Sequence, residues 1–237
     1  MAGISEDFQG RPGSERLVLG VDTCGLMGSV ALGRICGLTV EIVGEAELEG
    51  RSYSATLVAA VGNLLAQAGL GMQDLGAIVA VNGPGSFTGV RVGLSAVKGL
   101  AEPARIPVVA VSRLEVLAWK AGVGPAALDA HRNEVFLRVP GPDGEATELL
   151  AGLAELRRTP PPYQIAVSDE TAAVLLASAW PEATLLRIPT PTAADAMQLA
   201  APGVLAEKFV DLARLDGHYL RRSDAEIFAA AAKVRGA

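Results

Sequence analysis

Apolar residues come in short unbroken runs near the start of the chain and at helical spacing soon after. Residues 16–22, Arg-Leu-Val-Leu-Gly-Val-Asp, form a compact apolar run with a polar tip, the pattern of a buried strand. Residues 28–32 and 38–43 follow across short glycine-containing breaks, as in a meander. The period then changes. Between residues 51 and 68, Leu57, Val61, Leu64, Leu65 and Ala68 share one helical face, and Gly69 stands at the C-cap. Residues 77–81 are continuous, apolar and too short for a helix, so they read as a central strand. Gly83 to Gly89 is a loop, and helical spacing resumes over 90–101. Pro103 and Pro107 fence off the next turn, residues 108–111 form another strand, and Ser112 can cap a helix reaching Ala121.

The second half repeats this scheme more weakly. Residues 126–129 and 134–139 read as strands joined by the polar turn 130–133, and 140–144 is turn-rich. Strand 165–167, a helix over 170–179 capped by Asp169, strand 184–188 and a helix over 193–201 stopped by Pro202-Gly203 complete it. The order predicts an α/β fold in which antiparallel strands lead into parallel ones. The expected organisation is a lead-in over 1–16, one unit over 17–122, a second over 123–224 and a tail over 225–237, which could be helical or frayed.

Composition narrows the function. Half of the 237 residues are hydrophobic, which excludes disorder over most of the length. The mean hydropathy of +0.35 arises from scattered Ala, Val and Leu, and no run approaches a membrane span. Residues 1–16 carry Glu6, Asp7, Arg11 and Glu15 with no apolar core, so no secretory signal is expected and the cytoplasm is the expected compartment. A net charge of −6 argues against a protein built mainly to grip a phosphate backbone. Cys24 and Cys36 fall at opposite ends of an expected hairpin, about 25 Å apart and out of disulfide reach.

The distinctive stretch is Gly83-Pro84-Gly85-Ser86-Phe87-Thr88-Gly89-Val90-Arg91-Val92-Gly93. A strand, a glycine loop and a helix start in that order can cradle a phosphate. Neither phosphate pattern fits, because Thr88 occupies the sixth position of GxGxxG and a Walker lysine is absent. A tight turn with close helix–strand contact explains the glycines equally well. Asp22, at the tip of the first strand, could bind a metal–phosphate or simply cap a turn. Cys24 could be a nucleophile or a small buried thiol. His131 and His218 lie far apart with no metal-binding spacing, and Ser86 lacks the glycine two positions on that a nucleophile elbow needs. On the helix after the loop, Val92, Ser95, Ala96 and Gly99 share a face of small side chains, which lets another helix approach closely. Either this face and that of the 51–68 helix bury against their own sheet, or part of them meets a partner.

Leu19-Gly-Val-Asp-Thr-Cys24, Arg51-Ser-Tyr-Ser54, the 83–93 block with Lys98-Gly-Leu-Ala101, Ile106-Pro-Val108, Leu128-Asp-Ala-His-Arg-Asn-Glu-Val135 and Tyr219-Leu-Arg221 occur in the order of one family. In them the chain resembles the TsaB (YeaZ) family, over about residues 17–226. The resemblance implies an actin-like (ASKHA) fold of two ribonuclease-H-like units. It marks Asp22 and Thr23 with Gly83, Pro84, Gly85, Ser86, Phe87, Thr88, Gly89, Arg91 and Gly93 as family motif. It implies no catalytic residue, metal or cofactor of the chain's own, and a scaffold role in tRNA N6-threonylcarbamoyladenosine synthesis. The implied partners are a TsaD-type subunit that performs the transfer and a TsaE-type ATPase, with tRNA reached through the complex and a homodimer possible when the chain is alone. The partner interface would use Arg51, Ser52, Leu57, Val61 and Leu64 of one helix and Val92, Ser95, Ala96 and Gly99 of the next. Cys24 and Tyr53 depart from the usual Ser and His. The competing expectations are an actin-like ATPase or glycoprotease-like enzyme, or a self-sufficient homodimeric binding protein.

Overall fold

The computed structural model describes residues 15–49, 52–141 and 144–221. Arg51, residues 1–14 of the expected lead-in and the expected tail over 225–237 lie outside them.

The first five strands are β1 (Arg16–Asp22), β2 (Met27–Cys36), β3 (Thr39–Glu49), β4 (Ala77–Val81) and β5 (Val108–Val111), in spatial order β3-β2-β1-β4-β5. The β1–β2 and β2–β3 pairs are antiparallel, while β1–β4 and β4–β5 are parallel. The second sheet holds β6 (Ala126–Asp129), β7 (Glu134–Pro140), β8 (Ala146–Gly152), β9 (Gln164–Val167) and β10 (Thr184–Arg187), in order β10-β9-β6-β7-β8. It repeats the scheme of the first: β6–β7 and β7–β8 are antiparallel, β6–β9 and β9–β10 parallel. A meander followed by parallel strands, twice over, is the expected α/β architecture.

Helices α1 (Tyr53–Gln67) and α2 (Phe87–Ala104) cover one face of the first sheet, and α6 (Ala193–Leu205) covers the other. Strand alternation sets this division. Gly28 and Gly33 lie five positions apart on β2, so they face opposite ways; Gly28 leaves room for the Tyr53 ring of α1, and Gly33 for Met197 of α6. Helix α3 (Arg113–Ala121) lies between α6 and the second sheet, whose far side carries α4 (Leu153–Arg158) and α5 (Glu170–Ala179). The helix expected to close the second half thus packs on the first sheet, where Ala193, Ala196, Met197, Ala200 and Ala201 are all buried.

Several boundaries differ from expectation. Helix α2 runs through Pro103 and α6 through Pro202, because a proline φ suits a helix and only one amide donor is lost near each C-terminal end. Ser86 caps α2 by accepting from the Gly89 amide at 3.3 Å, so the helix begins inside the stretch expected to be loop. Strand β8 and helix α4 were not expected at all. Cys24 is buried and Cys36 exposed, and both are free.

Candidate functional site

The tip of β1 and the glycine loop meet face to face. Asp22 and Thr23 are each 1% exposed. The Ser86 amide donates to the Cys24 carbonyl at 2.7 Å, and the Thr23 hydroxyl donates to the Gly89 carbonyl at 2.8 Å. A side chain at Gly85 would collide with the Cys24 carbonyl oxygen, at Gly89 with the Thr23 carbonyl oxygen, and at Gly93 with the Thr23 hydroxyl. These glycines therefore let the backbone of α2 and its loop lie directly on residues 23–24. Gly83, with φ +115°, and Pro84 are buried. Phe87 and Thr88 are exposed, as is Ser86, while Gly85 is half-buried.

Asp22 is satisfied from within the chain. Its Oδ1 accepts from the Cys24 amide at 2.8 Å, and its Oδ2 from Arg113 Nε at 3.3 Å. Arg113 is itself only 6% exposed, and its amide donates to the Gly83 carbonyl at 2.6 Å. Burial works against the guanidinium charge, but the Asp22 carboxylate outweighs it and holds the pKa of Arg113 above its ordinary value. The same burial, with Asp22 adding to it, pushes the Cys24 thiol well above its usual value, so the buried thiol stays protonated. Tyr53 closes the site from the side of α1: its hydroxyl donates to the Gly25 carbonyl at 2.9 Å, and burial pushes its pKa up to about 12. An ion pair and apposed backbone thus fill the place where a first-strand aspartate could face a metal–phosphate.

The expected partner-facing residues divide in two. Leu57 and Val61 are 1% exposed and Leu64 is 7%, all against β2 and β3, so their assignment to an intermolecular surface is corrected. Hydrophobic spacing marks the face that α1 spends on its own sheet. The opposite face presents Ala55, Val58, Ala59 and Gly62 to solvent. On α2, which packs against α1, Ser95 and Gly99 are exposed, Val92 and Ala96 are half-buried, and side chains added at Gly62 or Gly99 would meet nothing. Ser52 is half-buried at the start of α1.

Sequence reasoning missed a polar cluster between the sheets. Glu148 of β8 accepts from Arg138 Nη1 at 2.7 Å and lies 2.9 Å from His218 Nε2, while Ser112 Oγ is 2.7 and 2.8 Å from its two oxygens. These groups border a cleft of about 290 Å³ that also touches Asn82. Burial alone would raise the Glu148 pKa, but hydrogen bonds from His218, Ser112 and Arg138 prevail and hold it below its ordinary value. The folded state therefore gains stability from this carboxylate above its unfolded pKa, near 4.5, and loses it as pH falls through the lower folded value. Unfolding in urea between pH 7 and pH 3 is expected to show this acid limb, and Glu148→Gln to flatten it. An acid limb of equal size in Glu148→Gln would place the coupling elsewhere. Among the described residues no three His, Cys, Asp or Glu side chains are grouped to hold a metal ion, and no helix is long and apolar enough to cross a membrane.

Two sheets of identical strand order, each meander leading into parallel strands, with helices between and outside them, define an actin-like fold. The same fold is seen in component A of (R)-2-hydroxyglutaryl-CoA dehydratase from Acidaminococcus fermentans, at a TM-score of 0.51 and 11% identity over 80% of this chain and 99% of that one. A Pseudomonas aeruginosa protein described as similar to peptidase YeaZ is nearer, at a TM-score of 0.71 and 27% identity over 87% of this chain and 100% of that one. The tRNA threonylcarbamoyladenosine biosynthesis protein TsaB of Haemophilus influenzae is 38% identical over 96 residues, 38% of this chain and 41% of that protein. The matched segment thus spans less than half of that relative's length. A family model described as TsaD, tRNA N6-adenosine threonylcarbamoyltransferase, matches residues 46–141. In sequence and in fold the chain is thus similar to proteins of the TsaB (YeaZ) family.

Proposed function

We propose that this protein takes part in tRNA threonylcarbamoyladenosine biosynthesis as a non-catalytic subunit. In this reading it binds and activates a TsaD-type threonylcarbamoyltransferase, works alongside a TsaE-type ATPase, and reaches tRNA through that complex. The observation that carries this reading is the filled site: Asp22 is paired with buried Arg113, and the glycine loop is pressed onto Thr23 and Cys24. What remains for function is outer surface. The small residues on the solvent side of α1 and α2 support a helix-packed partner, since they let a second helix approach closely. The two halves over 17–122 and 123–224 would then act as one platform presenting that surface.

Reconstitution tests it: the protein is mixed with the TsaD-type subunit, the TsaE-type ATPase, tRNA and threonylcarbamoyl-adenylate. Modification is expected to require all of them, and equal rates without this chain would end the proposal. The match of residues 46–141 to the TsaD family model favours one rival, an enzyme acting alone. Turnover by the isolated chain would establish that rival instead.

Ser95→Trp and Gly99→Leu are expected to abolish partner association in sedimentation while shifting Tm by no more than about 2–3 °C, because both positions face solvent. A large loss of thermal stability would mean that these positions are core.

A further inference from the structure

At the first turns of α2, an arginine is held in place with no ion-pair partner among the described residues. The Arg91 guanidinium carbon lies 3.7 Å from the centroid of the Phe87 ring and 5.8 Å from that of Tyr219, and its Nε donates to the Tyr219 hydroxyl at 3.3 Å. The two rings are 5.3 Å apart and tilted by 48°. Both remain partly open to solvent, Phe87 at 41% and Tyr219 at 38%. A surface arginine ordinarily loses much rotamer freedom when it binds; here stacking and a hydrogen bond have already fixed the guanidinium plane.

What the guanidinium faces is a hollow of about 180 Å³ between α2 and residues 215–219. Buried Leu94 and Leu215 floor it, and Arg91, Ser95, Lys98 and Tyr219 rim it. Among the described residues, hydrogen bonds and ion pairs leave the Arg91 terminal nitrogens and the Lys98 ammonium unclaimed. Asp216, at the same rim, receives neither; its carboxylate accepts from the Gly217 amide at 2.7 Å. A protein of net charge −6 therefore carries, seven residues apart on one face of a helix, two cations with no ion-pair partner among the described residues. Exposed Ser95 and Gly99 lie on that face beside them.

Resting on the scaffold reading above, we infer that this hollow is the anchor point of the partner interface. It receives an acidic side chain from a helix of the TsaD-type subunit, whose carboxylate is held by Arg91 and Lys98 while Phe87 and Tyr219 exclude water around it. The arrangement matches the usual make-up of an energetic centre in an interface, an arginine and aromatic residues around a small pocket next to a flat helix-packing face. A carboxylate fits the planar fork of arginine in two-point fashion. RNA fits poorly, because two cations beside Asp216 do not make the run of phosphate contacts that a nucleic-acid surface needs.

The test measures binding of the purified TsaD-type subunit to the full chain by titration calorimetry at low and moderate salt. Wild type is expected to bind, more weakly as salt rises. Arg91→Ala is expected to weaken binding by about 30-fold and Arg91→Glu by more, with Arg91→Lys between Ala and wild type. Arg157→Glu, an equal charge change on α4, should leave binding as it was. Thermal melts of all variants should agree within about 3 °C, since Arg91 is exposed. If wild type binds and Arg91→Ala and Arg91→Glu bind as tightly, the inference falls and the scaffold reading stands. Failure of wild type itself to bind would remove both. Loss confined to self-association would assign the hollow to a second copy, whose exposed Glu102 could supply the carboxylate, and loss confined to tRNA binding would assign it to RNA; either result overturns the inference.

Discussion

Replacing Arg113 with methionine, a side chain of similar length and no charge, should cost about 3–5 kcal/mol of stability and lower Tm by about 10 °C. The cost comes from what is left behind. Asp22 is 1% exposed, and without the guanidinium its carboxylate would keep, among the described residues, the Cys24 amide as its hydrogen-bond donor. The pair itself is not a large net source of stability, because each charge was dehydrated to form it. Adding Asp22→Asn to Arg113→Met should therefore recover most of the loss: the amide oxygen still accepts from Cys24, and no uncompensated charge remains buried. Urea unfolding of wild type, both single variants and the double variant separates the two contributions. Additive losses would mean that Asp22 and Arg113 do not depend on one another, and the site would no longer count as filled by its own ion pair.

The pair was half legible in the sequence. Asp22 stands out as the polar end of an apolar run. Arg113 was there to be seen as well, since it precedes Val116 and Leu117 by three and four positions and so falls on the apolar face of α3. A cation at a core-facing position requires an anion, and an aspartate at a strand tip is a natural complement. Spacing could not say that the two meet, because 91 residues separate them and only the parallel pairing of β1, β4 and β5 brings them together.

Other elements show the same limit. The buried faces of β1, β4 and β5 are continuous aliphatic runs and were readable directly. On α1, hydropathy located Leu57, Val61 and Leu64 correctly as one face but could not say what that face meets. In a fold of helices laid on sheets, the most apolar stripe goes to the chain's own core, and a partner must take what is left. Here that is Ala55, Ala59 and Gly62, whose lack of bulk gives almost no periodic signal. Strand β8 was invisible for a related reason: Ala146 to Gly152 is mostly half-buried or exposed at a sheet edge, and Glu148, its most consequential residue, points a carboxylate into the cleft between the sheets. His218 showed only that it lacks metal-binding spacing to His131, because its partner Glu148 lies 70 residues away.

Two alanine substitutions in the same helix should move stability in opposite directions. At Gly99 a new Cβ would meet nothing, so Gly99→Ala removes only the entropic penalty of glycine inside a helix, a gain of up to about 1 kcal/mol and about 2–4 °C in Tm. At Gly89 the same helical gain is available, but the Cβ would run into the carbonyl oxygen of Thr23, a backbone atom fixed by its place just beyond β1. Thr23 cannot swing aside like a flexible side chain, and its hydroxyl already donates to the Gly89 carbonyl at 2.8 Å. Relief would require α2 to lift off the strand tip along the line of Gly85, Gly89 and Gly93, opening buried backbone and the contacts beneath it. Overpacking of this kind costs about 3 kcal/mol or more, which exceeds the propensity gain and should appear as a Tm fall of roughly 6–12 °C. Thermal unfolding of the two variants side by side decides what the glycine motif is for. If Gly89→Ala melts with wild type, the loop holds enough space above Thr23 for a ligand, and the view of this site as one sealed by its own backbone must be abandoned. A loss at Gly89 with a gain at Gly99 fits glycines kept at 85, 89 and 93 for contact within the chain, while the solvent side of the same helix stays free for another protein.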